Sequence, residues 1–165
     1  MKNRGFFIAG TDTGVGKTHV TASLLAAGRA AGFAVAGMKP VASGAIHVDG
    51  KWVSADALRL AEASGQSTTY RDLNPFCFQE PVSPHIAAQS ENIGVDISII
   101  ATISTRLKAA HDLLLIEGAG GWYTPISERE SMADIAAAVS CPVLLVVGLR
   151  LGCLNHARLT LEAIR

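Results

Sequence analysis

The stretch that most restricts the fold is Gly10-Thr11-Asp12-Thr13-Gly14-Val15-Gly16-Lys17-Thr18, preceded by the apolar run Phe6-Phe7-Ile8-Ala9. A short strand, a glycine-containing turn, Gly-Lys-Thr and a helical segment, in that order, make a phosphate-binding loop. A helix N-terminus carries unpaired N–H groups and partial positive charge, and both stabilise an anion. Glycines let the backbone approach phosphate oxygens that a Cβ would hold off. In such a loop Lys17 reaches the β- and γ-phosphates of a nucleoside triphosphate, and the Thr18 hydroxyl binds Mg²⁺. The strict motif has glycine five residues before Gly16. Thr11 stands there instead, and Gly10 lies one residue earlier.

The rest of the chain extends this start. Residues 18–31 read as a helix with Val20, Leu24 and Leu25 inward and Gly32 closing it. Residues 34–38 read as a second strand ending at Lys39-Pro40, which completes a β-α-β unit with parallel strands. A polar loop follows to Val53 with a turn at Asp49-Gly50. Ser54 caps a helix over 55–63, with Asp56 in its first turn, and Gly65 ends it. Pro75, Pro81 and Pro84 leave 66–84 irregular, and a short helix starts at Pro84. Residues 95–110 are helical, with Ile99, Ile100, Ile103 and Leu107 at helical spacing. Leu113-Leu114-Leu115-Ile116 is a buried strand ending in Glu117, followed by a loop through Trp122. The helix 131–139 carries a stripe of Met132, Ile135, Ala136 and Val139. Strand 143–147, a loop 148–152 and a helix 155–165 complete the chain.

This order predicts one α/β domain over 1–165, with a doubly wound, mostly parallel sheet. Composition agrees. Apolar residues are 49% and charged residues only 17%, below the roughly 25% usual for soluble domains, as strands buried on both faces require. Net charge is zero and there is no basic run, which argues against nucleic acid. The apolar runs are too short to span a bilayer, and Lys2 and Arg4 precede an apolar run too short for a signal peptide. Cys77, Cys141 and Cys153 form no CxxC pair, which fits reduced thiols in a cytoplasmic protein. The five histidines show no metal spacing; His47, His85 and His156 read as surface or packing residues, and Trp52 and Trp122 read as packing rather than cofactor stacking.

Ligands of open parallel sheets bind beyond the carboxyl ends of the strands. Here those ends supply the phosphate loop, Lys39 with Ser43 four residues on, Glu117 with its glycine loop, and 148–155. Glu117 closes an apolar strand and precedes glycines, as a Mg²⁺-associated acid does. Asp56 is equally well read as a helix-dipole partner. Lys39, opposite a phosphate loop, is a second cation able to spread phosphoryl charge.

Four blocks together carry a resemblance. Gly-Thr-Asp-Thr-x-Val-Gly-Lys-Thr (10–18), Lys-Pro-Val-Ala-Ser-Gly (39–44), Glu-Gly-Ala-Gly-Gly-Trp (117–122) and Gly-Cys-Leu-Asn-His-Ala (152–157) closely resemble the dethiobiotin synthase family. Asn-Pro-Phe-x-Phe (74–78) and Glu-Pro-x-Ser-Pro-His (80–85) fit it too. The resemblance runs through essentially the whole chain, and Thr11 belongs to that family's own loop. It implies a P-loop NTPase-like fold and an ATP- and Mg²⁺-dependent cyclo-ligase of biotin synthesis, acting on 7,8-diaminononanoate and CO₂ or bicarbonate. ATP would lie on Gly14, Val15, Gly16, Lys17, Thr18, His19, Asp56, Glu117, Gly118, Ala119 and Gly120. Thr18, Asp56 and Glu117 would hold Mg²⁺, and Lys17 and Lys39 would be catalytic. Thr13, Lys17, Lys39, Ser43 and Gly120 match positions near the diamine or its carbamate. Gly152, Cys153, Leu154 and Asn155 match a loop that holds the substrate carboxylate across a homodimer interface.

Two departures limit the transfer. Gly14 stands where some members carry Glu, and family chains extend well past residue 165. The expectation is therefore the N-terminal portion of a longer chain, lacking the C-terminal part of the family fold and its adenine contacts. Rival readings are a Min/Par-type partitioning ATPase, an amidoligase of cobyrinate synthesis, and a non-catalytic nucleotide-binding module. The first normally carries a second lysine early in the loop, where Thr11, Asp12 and Thr13 stand here. The second usually carries a glutaminase domain.

Overall fold

The computed structural model describes residues 4–65 and 68–165. In chain order its elements are β1 Arg4–Gly10, α1 Lys17–Ala30, β2 Val35–Met38, β3 Val41–Ala42, β4 Ile46–Val48, β5 Lys51–Val53, α2 Ala55–Ser64 and α3 Tyr70–Leu73. There follow β6 Phe76–Cys77, α4 Pro84–Ser90, α5 Ile97–Ala110, β7 Leu113–Glu117, α6 Met132–Val139, β8 Val143–Val146 and α7 Cys153–Ile164. Lys2, part of the leader argument, and Gln66 and Ser67, part of the irregular stretch, lie outside the described residues.

The strands 35–38, 113–117, 4–10 and 143–146 form one parallel sheet in the order β2-β7-β1-β8. Its residues alternate between two apolar layers, as the twofold strand period dictates. Phe7, Ala9, Ala36, Met38, Leu114 and Ile116 face the layer containing α5 and α6. Ile8, Val35, Leu115 and Val146 face the layer containing α1 and α2. Because both faces are covered, the strands read as unbroken apolar runs rather than alternating ones.

Local chemistry sets the helix ends. The Ser54 hydroxyl accepts from Ala57 N–H at 3.3 Å and starts α2, and Gly65, at φ +60°, ends it in the left-handed region. Ser131 and Asp134 form a capping box at α6, where Ser131 N–H donates to Asp134 Oδ2 at 2.7 Å. The stripe Met132, Ile135, Ala136 and Val139 is buried as expected.

Several details differ from the sequence reading. Leu24 is exposed; the inward face of α1 is Lys17, Thr21, Ala22 and Leu25. Ile99 is likewise exposed, and Ser104 takes an inward place beside Ile100, Ile103 and Leu107. The loop 46–53 is a two-stranded hairpin. Asp49 and Gly50 both take positive φ, +48° and +76°, as a two-residue hairpin turn of the primed type requires. Trp52 projects from that hairpin, edge-on to His47 at 5.2 Å, rather than entering the core. The segment expected to be irregular contains α3 and β6, and β6 pairs in parallel with β3. The last helix begins two residues earlier than expected, at Cys153, and none of its residues is buried.

Candidate active site

The loops that leave β1, β2, β7 and β8 gather at one end of the sheet. At the end of β1 the chain turns through Gly14 and Gly16, at φ +73° and +99°. Those angles suit glycine and strain any residue with a Cβ. Gly16 is the N-cap of α1 and Lys17 its first residue. Thr11 N–H donates to Val146 O at 3.1 Å, which ties this loop to the end of β8. Asp12 adds an ion pair to Arg150 in the following loop.

Two lysines converge from different elements. Lys17 is 7% exposed, and its Nζ donates to Asp12 O at 2.9 Å and Gly120 O at 2.6 Å. Burial, and then the charge of Lys39, pull its pKa down to about 8. Lys39 stands just past the end of β2 and is 4% exposed. Its Nζ donates to Glu117 Oε1 at 2.7 Å and Asp56 Oδ2 at 2.9 Å, with Gly118 O at 3.4 Å. Burial by itself would depress this ammonium, but Glu117 and then Asp56 override it and hold the pKa above the usual lysine value. Asp56 responds in kind. Burial raises its pKa, yet the Lys39 charge and hydrogen bond prevail and hold it below the usual carboxylate value.

Glu117 has no solvent exposure. Its Oε1 accepts from Lys39 and from the Thr18 hydroxyl, the latter at 2.8 Å, whereas its buried Oε2 has no partner. Thr18, Asp56 and Glu117 therefore place a hydroxyl and two carboxylates around one region, and one carboxylate oxygen lacks a counter-charge. An all-oxygen set of this kind fits Mg²⁺, which takes one or two carboxylates and completes its shell with water and phosphate oxygens. Among the described residues no group of three His, Cys, Asp or Glu side chains gathers at one point.

The cavity in front of these groups has a volume of about 760 Å³, within the range of small-molecule sites. Of the residues expected from sequence, Thr13, Gly14, Gly16, Lys17, Thr18, His19, Lys39, Ser43, Asp56, Glu117, Ala119 and Gly120 line it. Val15 and Gly118 do not. The Val15 side chain lies against Gly10 and Gly148, and Gly118 lies against the Phe7 ring. Gly152, Cys153, Leu154 and Asn155 also lie outside this cavity in a single chain, at the start of α7, where Leu154 is 85% exposed. The sequence reading missed Arg59, Thr124 and the wall formed by residues 81–84. Arg59 had a signal: it lies one helical turn after Asp56. A second cavity, about 820 Å³, between α4 and residues 126–130, contains none of these groups.

Comparison with known proteins identifies the chain's relatives. A family described as an AAA domain matches residues 4–165. The ATP-dependent dethiobiotin synthetase BioD of Aromatoleum aromaticum is 46% identical over 161 residues, covering 98% of this chain and 72% of that protein. The ATP-dependent dethiobiotin synthetase BioD 1 of Escherichia coli O157:H7 is 43% identical over 163 residues, covering 99% and 72%. Among solved structures, the signal recognition particle receptor FtsY of Elizabethkingia anophelis aligns with a TM-score of 0.53 at 16% identity, over 99% of this chain and 48% of that one. That likeness concerns the fold alone.

Proposed function

The chain belongs to the dethiobiotin synthetase family, and we propose that it uses ATP to build the ureido ring of dethiobiotin from 7,8-diaminononanoate and CO₂. The observation that carries this reading is the second lysine. A phosphate loop alone serves any nucleoside triphosphatase. Here Lys39, just past the end of β2, enters the same cavity as Lys17 at the start of α1, and both donate to the short segment that follows β7.

The chemistry asks for that arrangement. One amine of the substrate adds to CO₂ and loses a proton, giving a carbamate. A carbamate oxygen then displaces ADP from the γ-phosphate, giving a mixed carbamic–phosphoric anhydride. The second amine attacks the carbamyl carbon, closes the ring and expels phosphate. The difficult step brings two anions together, and positioned cations lower its barrier. Backbone N–H groups of 14–18 and Lys17 hold the triphosphate. Lys39 faces the developing charge on the carbamate side. Thr13, Ser43 and Gly120 line the wall beside it. Thr18, Asp56 and Glu117 would hold Mg²⁺, which when bound offsets phosphate charge. Gly152, Cys153, Leu154 and Asn155 would supply the carboxylate-binding end to a neighbouring subunit of a homodimer. Three free thiols suit a cytoplasmic setting, and among the described residues no helix is long and apolar enough to cross a membrane.

The test is direct. The protein is incubated with diamine, bicarbonate, Mg²⁺ and ATP, and the product is analysed by mass spectrometry. A ureido product formed together with phosphate is expected. Phosphate release that ignores the diamine would overturn the reading.

A further inference from the structure

The motif Asn-Pro-Phe at 74–76 has no task in the site described so far, and Asn74 does not line the cavity. Yet Asn74 is 3% exposed, and both its amide nitrogen and its oxygen are hydrogen-bonded. Its Nδ2 donates to Lys39 O at 2.6 Å and to Phe76 O at 3.3 Å. Its Oδ1 accepts from the Tyr70 hydroxyl at 2.8 Å. Two carbonyls at one end fix the amide's orientation, because the reverse setting would aim its oxygen at both.

The network continues in two directions. Lys39 N–H donates to Leu73 O at 2.8 Å, so both backbone polar groups of Lys39 are satisfied by residues 73 and 74. Lys39 lies beyond the β2 ladder, and the next residue, Pro40, has no N–H to offer. The Tyr70 hydroxyl meanwhile accepts from Ser54 N–H at 2.6 Å. Ser54 caps α2, and Asp56 is the second residue of that helix. One buried cluster thus holds the backbone of the cation Lys39 and the helix start that carries its carboxylate partner Asp56.

We propose that Asn74 is a positioning residue for Lys39, and that Tyr70 carries the same constraint to Asp56. This deepens the function proposed above and rests on the role given there to Lys39. Removing the Asn74 amide leaves the Lys39 carbonyl without its donor, and the backbone shifts to find another. A displacement near 1 Å at a reacting group is worth up to about a hundredfold in rate.

The experiment compares Asn74→Ala and Tyr70→Phe with wild type, and places each change in a Lys39→Ala background. Diamine-dependent phosphate release, ATP affinity by calorimetry and thermal unfolding are measured on all. The expected kcat loss is about 10- to 100-fold for Asn74→Ala and about 3- to 10-fold for Tyr70→Phe, with ATP affinity within about threefold. In the Lys39→Ala background each adds no more than about twofold, because its route to the reaction is already gone. Loss that only tracks the unfolded fraction, or that repeats undiminished without Lys39, overturns the proposal. If Asn74→Ala does not fold, Tyr70→Phe alone decides it. A wild-type protein showing no diamine-dependent phosphate release defeats the functional reading instead. The inference is then judged by hydrogen exchange at the Ser54 amide, which should quicken at least about tenfold in Tyr70→Phe. Unchanged exchange there overturns it.

Discussion

Replacing Lys39 by Met should destabilise the protein strongly, and in a pH-dependent way. Glu117 has no exposure, and its Oε1 is neutralised by Lys39 at 2.7 Å, with only the Thr18 hydroxyl as a further partner. Its Oε2 already lacks one. Removing the ammonium leaves a buried carboxylate with a single neutral hydrogen bond, a change that costs about 3–5 kcal/mol. The Asp56 contact adds little, because that carboxylate is nearly half exposed at 46%. For a chain of 165 residues this lowers the midpoint of thermal unfolding by about 10 °C, at roughly 2–4 °C per kcal/mol.

The pH dependence identifies the cause. In wild type, Glu117 and then Asp56 hold the Lys39 ammonium above its usual pKa, so folding favours its protonated form. That contribution is complete below the unfolded value of about 10.5 and is lost as pH rises through the raised one. On the acid side the Lys39 charge holds Asp56 below the usual value of 3.8, and that smaller contribution is lost as pH falls through the lowered pKa. The gap between the two proteins should therefore hold from about pH 5 to pH 9 and narrow as pH rises past about 10.5. Urea unfolding followed by tryptophan fluorescence measures it, with Glu117→Gln and the double variant completing the cycle. A coupling of about 2 kcal/mol or more is expected. A loss under about 1 kcal/mol at pH 7, or additivity of the two changes, would refute the assigned electrostatics.

Three shorter predictions concern neighbouring parts. Lys17 is held near pKa 8, so its unfolded state binds the proton more tightly. The cost is complete below pH 8 and is relieved as pH rises towards 10.5. Ligand-free stability should therefore climb by roughly 1–3 kcal/mol between pH 7.5 and 10, and chemical denaturation of Lys17→Met should show no such rise. At Gly37 an added Cβ would sit 2.9 Å from both Leu25 Cδ1 and Leu60 Cβ. Gly37→Ala should force α1 and α2 away from the sheet and cost about 1–3 kcal/mol in the same assay, with no change in ATP affinity. Asp56→Asn, measured by Mg²⁺ titration of turnover, should raise the half-saturating concentration by about tenfold or more.

How much of this was legible in the sequence depended on what each residue has to satisfy. The phosphate loop was readable because Gly16 must take φ +99° and only a narrow set of residues allows that path. β7 was readable because burial on both faces leaves Leu113–Ile116 without a polar residue, and β8, half-buried at the sheet edge, because its four residues are still all apolar. Leu24 and Ile99 were misplaced because helical spacing offers adjacent candidates, and only the position of the sheet decides which faces inward. The hairpin 46–53 was read as a loop although its Asp-Gly turn was visible, since strands of three residues carry too short a pattern. Lys39 was singled out, but its contacts to Asp56 and Glu117 span 17 and 78 positions, a pairing that chain order alone does not reveal. Asn74 was quoted as part of a motif and given no task, because its bonds to Lys39 exist only once the 70–76 segment folds back over the end of β2.

The two ammonium groups of the site are both engaged before any substrate arrives: Lys17 with Asp12 and Gly120 carbonyls, Lys39 with two carboxylates. An incoming anion therefore enters as a competitor, and its binding is an exchange of partners rather than the filling of an empty seat. A lone inorganic phosphate has little to gain from such a trade. On the function proposed above, a triphosphate that also engages the loop backbone would release Lys17, and a carbamate beside it would draw on Lys39. The two lysines are in this sense latched, and the function proposed above asks for the pair of anions that opens both catches.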